Sequence, residues 1–164
     1  MMRVPSPVER LWREYAGSLL SYAVTLVGDR TEAEDVLQSV FARLLEQGFP
    51  SAVGSERSYL CRSVRNESLN VRRGDRRRQD RQDSFLRLPV EDPRDQAELA
   101  EIRRRIEDSV AALPSDQREV VVLKTWGDLS FPEIAAVVGI SEDAAEHRYY
   151  RGLDALKKKL ETSP

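Results

Sequence analysis

Apolar residues recur at helical spacing along most of this chain, and no stretch of any length alternates apolar and polar residues as a strand would. From about residue 7 to 27, Val8, Leu11, Trp12, Tyr15, Leu19, Tyr22 and Leu26 share one face, which predicts an amphipathic helix broken by Gly28 and Asp29. Thr31 with Glu34 reads as a capping box for a second helix, with Val36, Leu37, Val40, Phe41, Leu44 and Leu45 inward and Gly48 beyond its end. After the loop FPSAVGS a third helix is expected from near Glu56, with Tyr59, Leu60, Val64 and Leu69 placed to pack on the first two. Three helices of this length close a small bundle. Periodicity then fails from Gln79 to about Gln96, where two prolines and many charges surround one apolar patch, Phe85, Leu86 and Leu88. That segment reads as a tether. Helical spacing resumes at Ala97 with Leu99, Ile102, Ile106, Val110 and Leu113.

The stretch 113–160 predicts three more helices. Pro114 and Ser115 open the first, which carries Val120, Val121 and Leu123. Ser130 with Glu133 forms a capping box, Pro132 fits the first turn, and Ile134, Ala135 and Val138 give a short stripe that Gly139 ends. Ser141 caps a longer helix with Ala145, Tyr149, Leu153 and Leu156 at helical spacing and Lys157, Lys158 and Lys159 near its end. A short capped helix, a glycine turn and a longer helix make a helix-turn-helix pattern, whose second helix enters the DNA major groove. A plain antiparallel helical hairpin is the alternative on this segment alone. The fold class expected is all-α: an N-terminal bundle of three to four helices over 5–80, a flexible linker over 81–96, and a C-terminal helix-turn-helix domain over 97–161.

Composition narrows the function classes. In 164 residues there is one cysteine, Cys61, and one histidine, His147, so neither an intrachain disulfide nor a zinc site is expected. No apolar run approaches the ~20 residues of a membrane span, and MMRVPSPVER lacks a signal-peptide core, so a cytoplasmic protein without a membrane partner is expected. The net charge of −2 conceals segregation: seven arginines (65, 72, 73, 76, 77, 78 and 81) lie in one short stretch, while acids concentrate at 32–35 and 91–108. Such a pattern suggests one face for phosphates and others for protein partners, although a solvated charge run is the plainer reading. No nucleophile–base pair, metal cluster or glycine-rich phosphate loop is present, so neither an enzyme nor a cofactor is expected.

Four blocks in order resemble the small, extracytoplasmic-function type of bacterial RNA polymerase sigma factor. LWREYAGSLLSYAVTLVGDRTEAEDVLQSVFARLLE is similar to the family's first conserved block, and YLCRSVRNESLNVRRGDRRR to the block that melts and reads the −10 promoter element. LPSDQREVVVLKTWGDLSFPEIAAVVGIS resembles the start of its C-terminal domain, and AAEHRYYRGLDALKKKL its recognition helix for the −35 element. Each block alone is weak; their order and spacing are specific. The resemblance implies core RNA polymerase as a partner, through the β′ clamp helices and the β flap, together with promoter DNA. It also implies an anti-sigma protein, which no residue of this chain identifies.

The resemblance also assigns residues. Asp35, Gln38 and Phe41, spaced three apart on the second helix, are expected to dock on the polymerase, with Phe41 equally readable as core. On the third helix Asn66 and Asn70 share a face near Arg65, Arg72 and Arg73, with Arg76 and Arg77 beyond. Amides can hydrogen-bond the edges of an unstacked base and arginines can hold a single-stranded backbone. Tyr59 matches the family's strand-separating aromatic, or else it is core; Asn66 and Asn70 are otherwise caps or solvated. Ser63 and Glu67 depart from the family's apolar residues at those places, which suggests looser packing. The base-reading positions correspond to Glu146, His147, Tyr150 and Arg151, with Arg148 toward the backbone. Glu146 stands where a basic residue is common; it repels phosphates yet can accept from cytosine N4, while Arg151 can pair with guanine. A lone helix-turn-helix regulator and a helical protein-interaction module are the competing functions.

Overall fold

Seven helices carry the fold in the computed structural model, which describes residues 4–74 and 97–162. They are α1 (Pro7–Val27), α2 (Arg30–Gln47), α3 (Glu56–Gly74), α4 (Ala97–Ala111), α5 (Ser115–Thr125), α6 (Phe131–Val138) and α7 (Glu142–Thr162). The expected tether, with Phe85, Leu86 and Leu88, lies outside the described residues.

Local chemistry fixes the ends. Ser6 opens α1: its hydroxyl accepts from the Glu9 amide at 3.1 Å, and the Glu9 carboxylate accepts from the Ser6 amide at 2.8 Å. Gly28, at φ 79, ends α1 in the left-handed conformation that suits glycine. That turn is so tight that Asp29 caps the next helix, accepting from the Glu32 amide at 2.9 Å. The capping box expected at Thr31 therefore does not form, and Glu34 instead pairs with Arg30 at 3.0 Å. Ser130 and Glu133 do form the box expected of them, Gly139 ends α6 at φ 79, and Ser141 caps α7.

α1, α2 and α3 bury Leu11, Leu19, Tyr22, Val36, Leu37, Val40, Leu44, Leu60 and Val64 between them. Leu45, expected inward, is 67% exposed, because it lies about 100° around α2 from the buried Leu44. On α4 the expected stripe is only half used: Val110 is buried, while Leu99 and Ile102 are exposed. α7 crosses α5 closely at Gly152.

The two halves do not hang apart. α1 packs on α5 and α3 on α6, and one buried cluster runs from Tyr22, Leu60 and Cys61 to Val120, Leu123, Leu129 and Ile134. The reason lies in α5, where Val120, Val121, Val122 and Leu123 are all buried. Four consecutive apolar residues surround a helix rather than line one face, so α5 needs cover on more than one side. α7 supplies part of it, and α1 and α6 supply more.

Candidate nucleic-acid and polymerase interfaces

α3 presents two stripes on roughly opposite sides of the helix, since each residue turns it by about 100°. Tyr59, Ser63 and Asn66 follow one another at helical spacing and line a cavity of about 160 Å³ with Val40, Arg43, Leu44, Gln47 and Gly48 of α2 and its end. Tyr59 is half-buried and meets Phe49 edge-on, ring centroids 5.0 Å apart, so its ring is both packed and on the cavity wall. Ser63 donates its hydroxyl proton to the Tyr59 carbonyl at 2.9 Å, and Glu67 holds Arg43 at 2.6 Å. The two polar departures on α3 therefore have partners. Asn66 and Asn70 are exposed, as are Arg72 and Arg73 in the last turn; Arg76 and Arg77 lie outside the described residues. An open, ring-sized hollow with amides, hydroxyls and a guanidinium on its walls can hold a planar heterocycle by its edge. Arg43 and Gln47 were not legible as site residues, because only the packing of α2 on α3 brings them to the hollow.

The second stripe, Arg57, Cys61 and Arg65, faces the C-terminal half. Arg65 Nε donates to Glu119 Oε1 at 2.7 Å, and the Tyr22 hydroxyl donates to the same oxygen at 2.7 Å. Arg57 pairs with Asp128, whose φ of 53 makes it left-handed, at 2.5 Å. Arg65, expected among the nucleic-acid contacts, is thus turned away from Asn66 and onto a carboxylate of the other half. Burial, reinforced by Glu119, holds the Tyr22 phenol well above its ordinary value, and burial pushes the Cys61 thiol up to about 12.

On α2, Asp35 and Gln38 are exposed, but Phe41 is 5% exposed and belongs to the core. Its place on the surface is taken by Trp12, 44% exposed and edge-on to Phe41 at 4.9 Å. Trp12, Ala16, Gly17, Leu20, Leu37, Glu34 and Gln38 line a largely apolar groove of about 290 Å³ between α1 and α2. Trp12 reads in sequence as one more residue of the buried face, which hid it.

In the helix-turn-helix, Glu146, His147, Tyr150 and Arg151 are exposed together on α7. Tyr150 is braced by Tyr149 at 5.3 Å, which in turn meets Phe131 at 5.5 Å. Arg148, expected toward the DNA backbone, is half-buried and turns back to Asp116 of α5 at 3.9 Å. Among the described residues no acidic, histidine or cysteine group is placed to hold a metal, and no helix is long and apolar enough to cross a membrane.

Residues 11–78 match the family model for sigma-70 region 2, and residues 103–156 that for sigma-70 region 4. The RNA polymerase sigma-E factor of Streptomyces antibioticus is 30% identical over 157 residues, 94% of this chain and 84% of its own. ECF RNA polymerase sigma factor SigX of Bacillus subtilis is 28% identical over 159 residues, 92% of this chain and 82% of that protein. SigE of Mycolicibacterium smegmatis is 28% identical over 156 residues, 93% of this chain, though the chain spans only 61% of that relative's length. Among solved structures, the sigma factor RpoE in complex with the anti-sigma factor NepR from Bartonella quintana superposes with a TM-score of 0.70 at 19% identity, covering 95% of this chain and 99% of that one. CnrH in complex with the cytosolic domain of CnrY gives 0.65 at 24% identity, covering 96% and 89%. This chain belongs to the sigma-70 family of RNA polymerase sigma factors, in its extracytoplasmic-function branch. Because both halves match, the N-terminal half is not the ligand or dimerisation domain of a lone regulator.

Proposed function

We propose that this protein binds core RNA polymerase, directs it to promoters and opens the DNA strands there, contributing recognition rather than chemistry of its own. In this reading the N-terminal unit, 5–80, engages the β′ clamp helices and the −10 element. The C-terminal unit, 97–161, engages the β flap and the −35 element. The site of action is the cytoplasm, and an anti-sigma protein is a further partner, as the complexes of RpoE and CnrH suggest.

The observation that carries the reading is the hollow beside Tyr59, Ser63 and Asn66, about 160 Å³ in volume. A cavity of ~150 Å³ is enough to hold a benzene ring. Capture of one base there offsets the few kcal/mol that unstacking costs. Asn66→Ala should leave closed-complex formation with core polymerase intact while lowering the permanganate reactivity of unpaired thymines. Equal reactivity in mutant and wild type would remove the hollow from strand opening. Failure of the wild-type protein to start transcription with core enzyme on any genomic promoter template would sink the function itself.

A further inference from the structure

Arg43 of α2 and Ser63 of α3 reach the hollow from adjacent helices, and each is restricted in what it can offer there. Ser63 gives its hydroxyl proton to the Tyr59 carbonyl at 2.9 Å, so its oxygen is left only to accept. Arg43 can only donate, because a guanidinium stays charged and has no acceptor. Glu67, one turn beyond Ser63 on α3, holds Arg43 Nη2 at 2.6 Å and so restrains the guanidinium. Gln47 and Asn66 line the hollow too, but an amide carries both donor and acceptor and turns to suit any base. Ser63 and Glu67 are also the two places on α3 where polar residues stand instead of the family's apolar ones, and both bear on this hollow.

Resting on the reading that the hollow captures an unstacked base, we infer that it selects cytosine, with Arg43 and Ser63 reading the base and Glu67 positioning Arg43. On its pairing edge cytosine sets an amino donor, N4, beside two neighbouring acceptors, N3 and O2. Two parallel N–H groups of a guanidinium match such a pair of acceptors, and an oxygen that only accepts matches the amino group. Together they reproduce the edge that guanine presents in a base pair. Thymine fails because its N3–H would face the guanidinium, donor against donor. Adenine offers the amino group but a single acceptor beside it. Guanine sets donors where the fork needs acceptors, and it carries a second ring where about 160 Å³ suits one.

Without Glu67 the guanidinium is free to swing to the nearest phosphate, where it adds affinity for every sequence and reads none. The ion pair thus turns a backbone contact into a base reader. Its own contribution to stability is small, because the Arg43 side chain is 51% exposed.

Selection from a single-stranded DNA library by holoenzyme, assembled from core polymerase and the full chain, tests this. Wild type should favour cytosine at one position by roughly ten- to a hundredfold, the worth of a bidentate base contact. Arg43→Lys keeps the charge and loses the fork, so that preference should fall to about twofold while total affinity stays within about threefold of wild type. Ser63→Ala should lower the preference by roughly three- to tenfold, the share of one hydrogen bond. Glu67→Ala should relax the same position and bind the unselected pool at least about twofold more tightly. Preferences at the other positions should stay as in wild type, and an unchanged melting transition excludes loss of the fold.

A base other than cytosine at the position these variants relax overturns the proposal. So does a wild-type preference retained by all three variants. If Asn66→Ala still weakens binding in that case, the hollow captures a base without reading it. If Asn66→Ala also selects and binds as wild type does, the capture reading falls together with the proposal.

Discussion

Gly152 is the point where α7 passes α5 most tightly: a Cβ there would lie 2.6 Å from Val121 Cγ2. Val121 is buried and β-branched, so it cannot swing aside at low cost. Gly152→Ala should therefore destabilise the fold by roughly 1–3 kcal/mol before the gain of up to about 1 kcal/mol in helix propensity is subtracted. Urea unfolding measures it, and a variant as stable as wild type would show that the two helices can move apart freely. A glycine inside a helical pattern marks such a crossing in sequence, but the partner it faces does not show there. Glu146 poses the opposite case, an exposed residue whose role depends on what it meets. Glu146→Gln should relax preference at a single −35 position, at a cost of about 1–3 kcal/mol in discrimination. Glu146→Lys should instead raise affinity for every sequence by adding a phosphate contact. Selection from a −35 library against both variants separates base reading from plain repulsion, which leaves the preference unchanged.

Among the elements, α2 shows what periodicity reveals and what it hides. The helix, its buried stripe and its exposed Asp35 and Gln38 were readable from spacing alone. The capping residue was not, because Thr31 and Asp29 are both competent caps and only the left-handed turn at Gly28 selects Asp29. Leu45 misled because an apolar residue next to a buried one sits on a different face. Arg43 and Gln47 belong to the hollow through packing between helices, a contact that no local pattern encodes. The run Val120 to Leu123 is buried on all sides, but nothing in it says which helix covers it, so the contact between the halves was not legible in the sequence. Replacing Asp35 and Gln38 together with lysine should weaken association with core polymerase and leave helix content unchanged. Tight association of that double mutant would move the interface elsewhere. Phe41→Ala belongs to a different class: as a buried ring it should cost about 3–5 kcal/mol of stability whether or not polymerase is present.

For the whole molecule, the contact between the halves sets the response to alkali. Tyr22 and Cys61 both hold their protons beyond their ordinary values of 10.0 and 9.0, Cys61 to about 12. The folded protein thus binds protons that the unfolded chain has released, so stability falls as pH rises. From these two groups it should be level below about pH 9 and decline through 12 and beyond, with thermal melting as the measure. Tyr22→Phe should make the part of that decline above pH 10 shallower. A variant that follows the wild-type curve throughout would remove Tyr22 as its cause.

The chain has two tryptophans, and the fold assigns them to different surfaces. Trp12 stands in the groove between α1 and α2, and Trp126 in the cleft between the halves. Each therefore emits from its own dielectric environment, and a change at the groove and a change at the cleft become separate optical events in one unlabelled protein. Trp12→Phe leaves the cleft as the sole source of indole light, and Trp126→Phe leaves the groove, so the order of the two events can be followed in time by fluorescence alone.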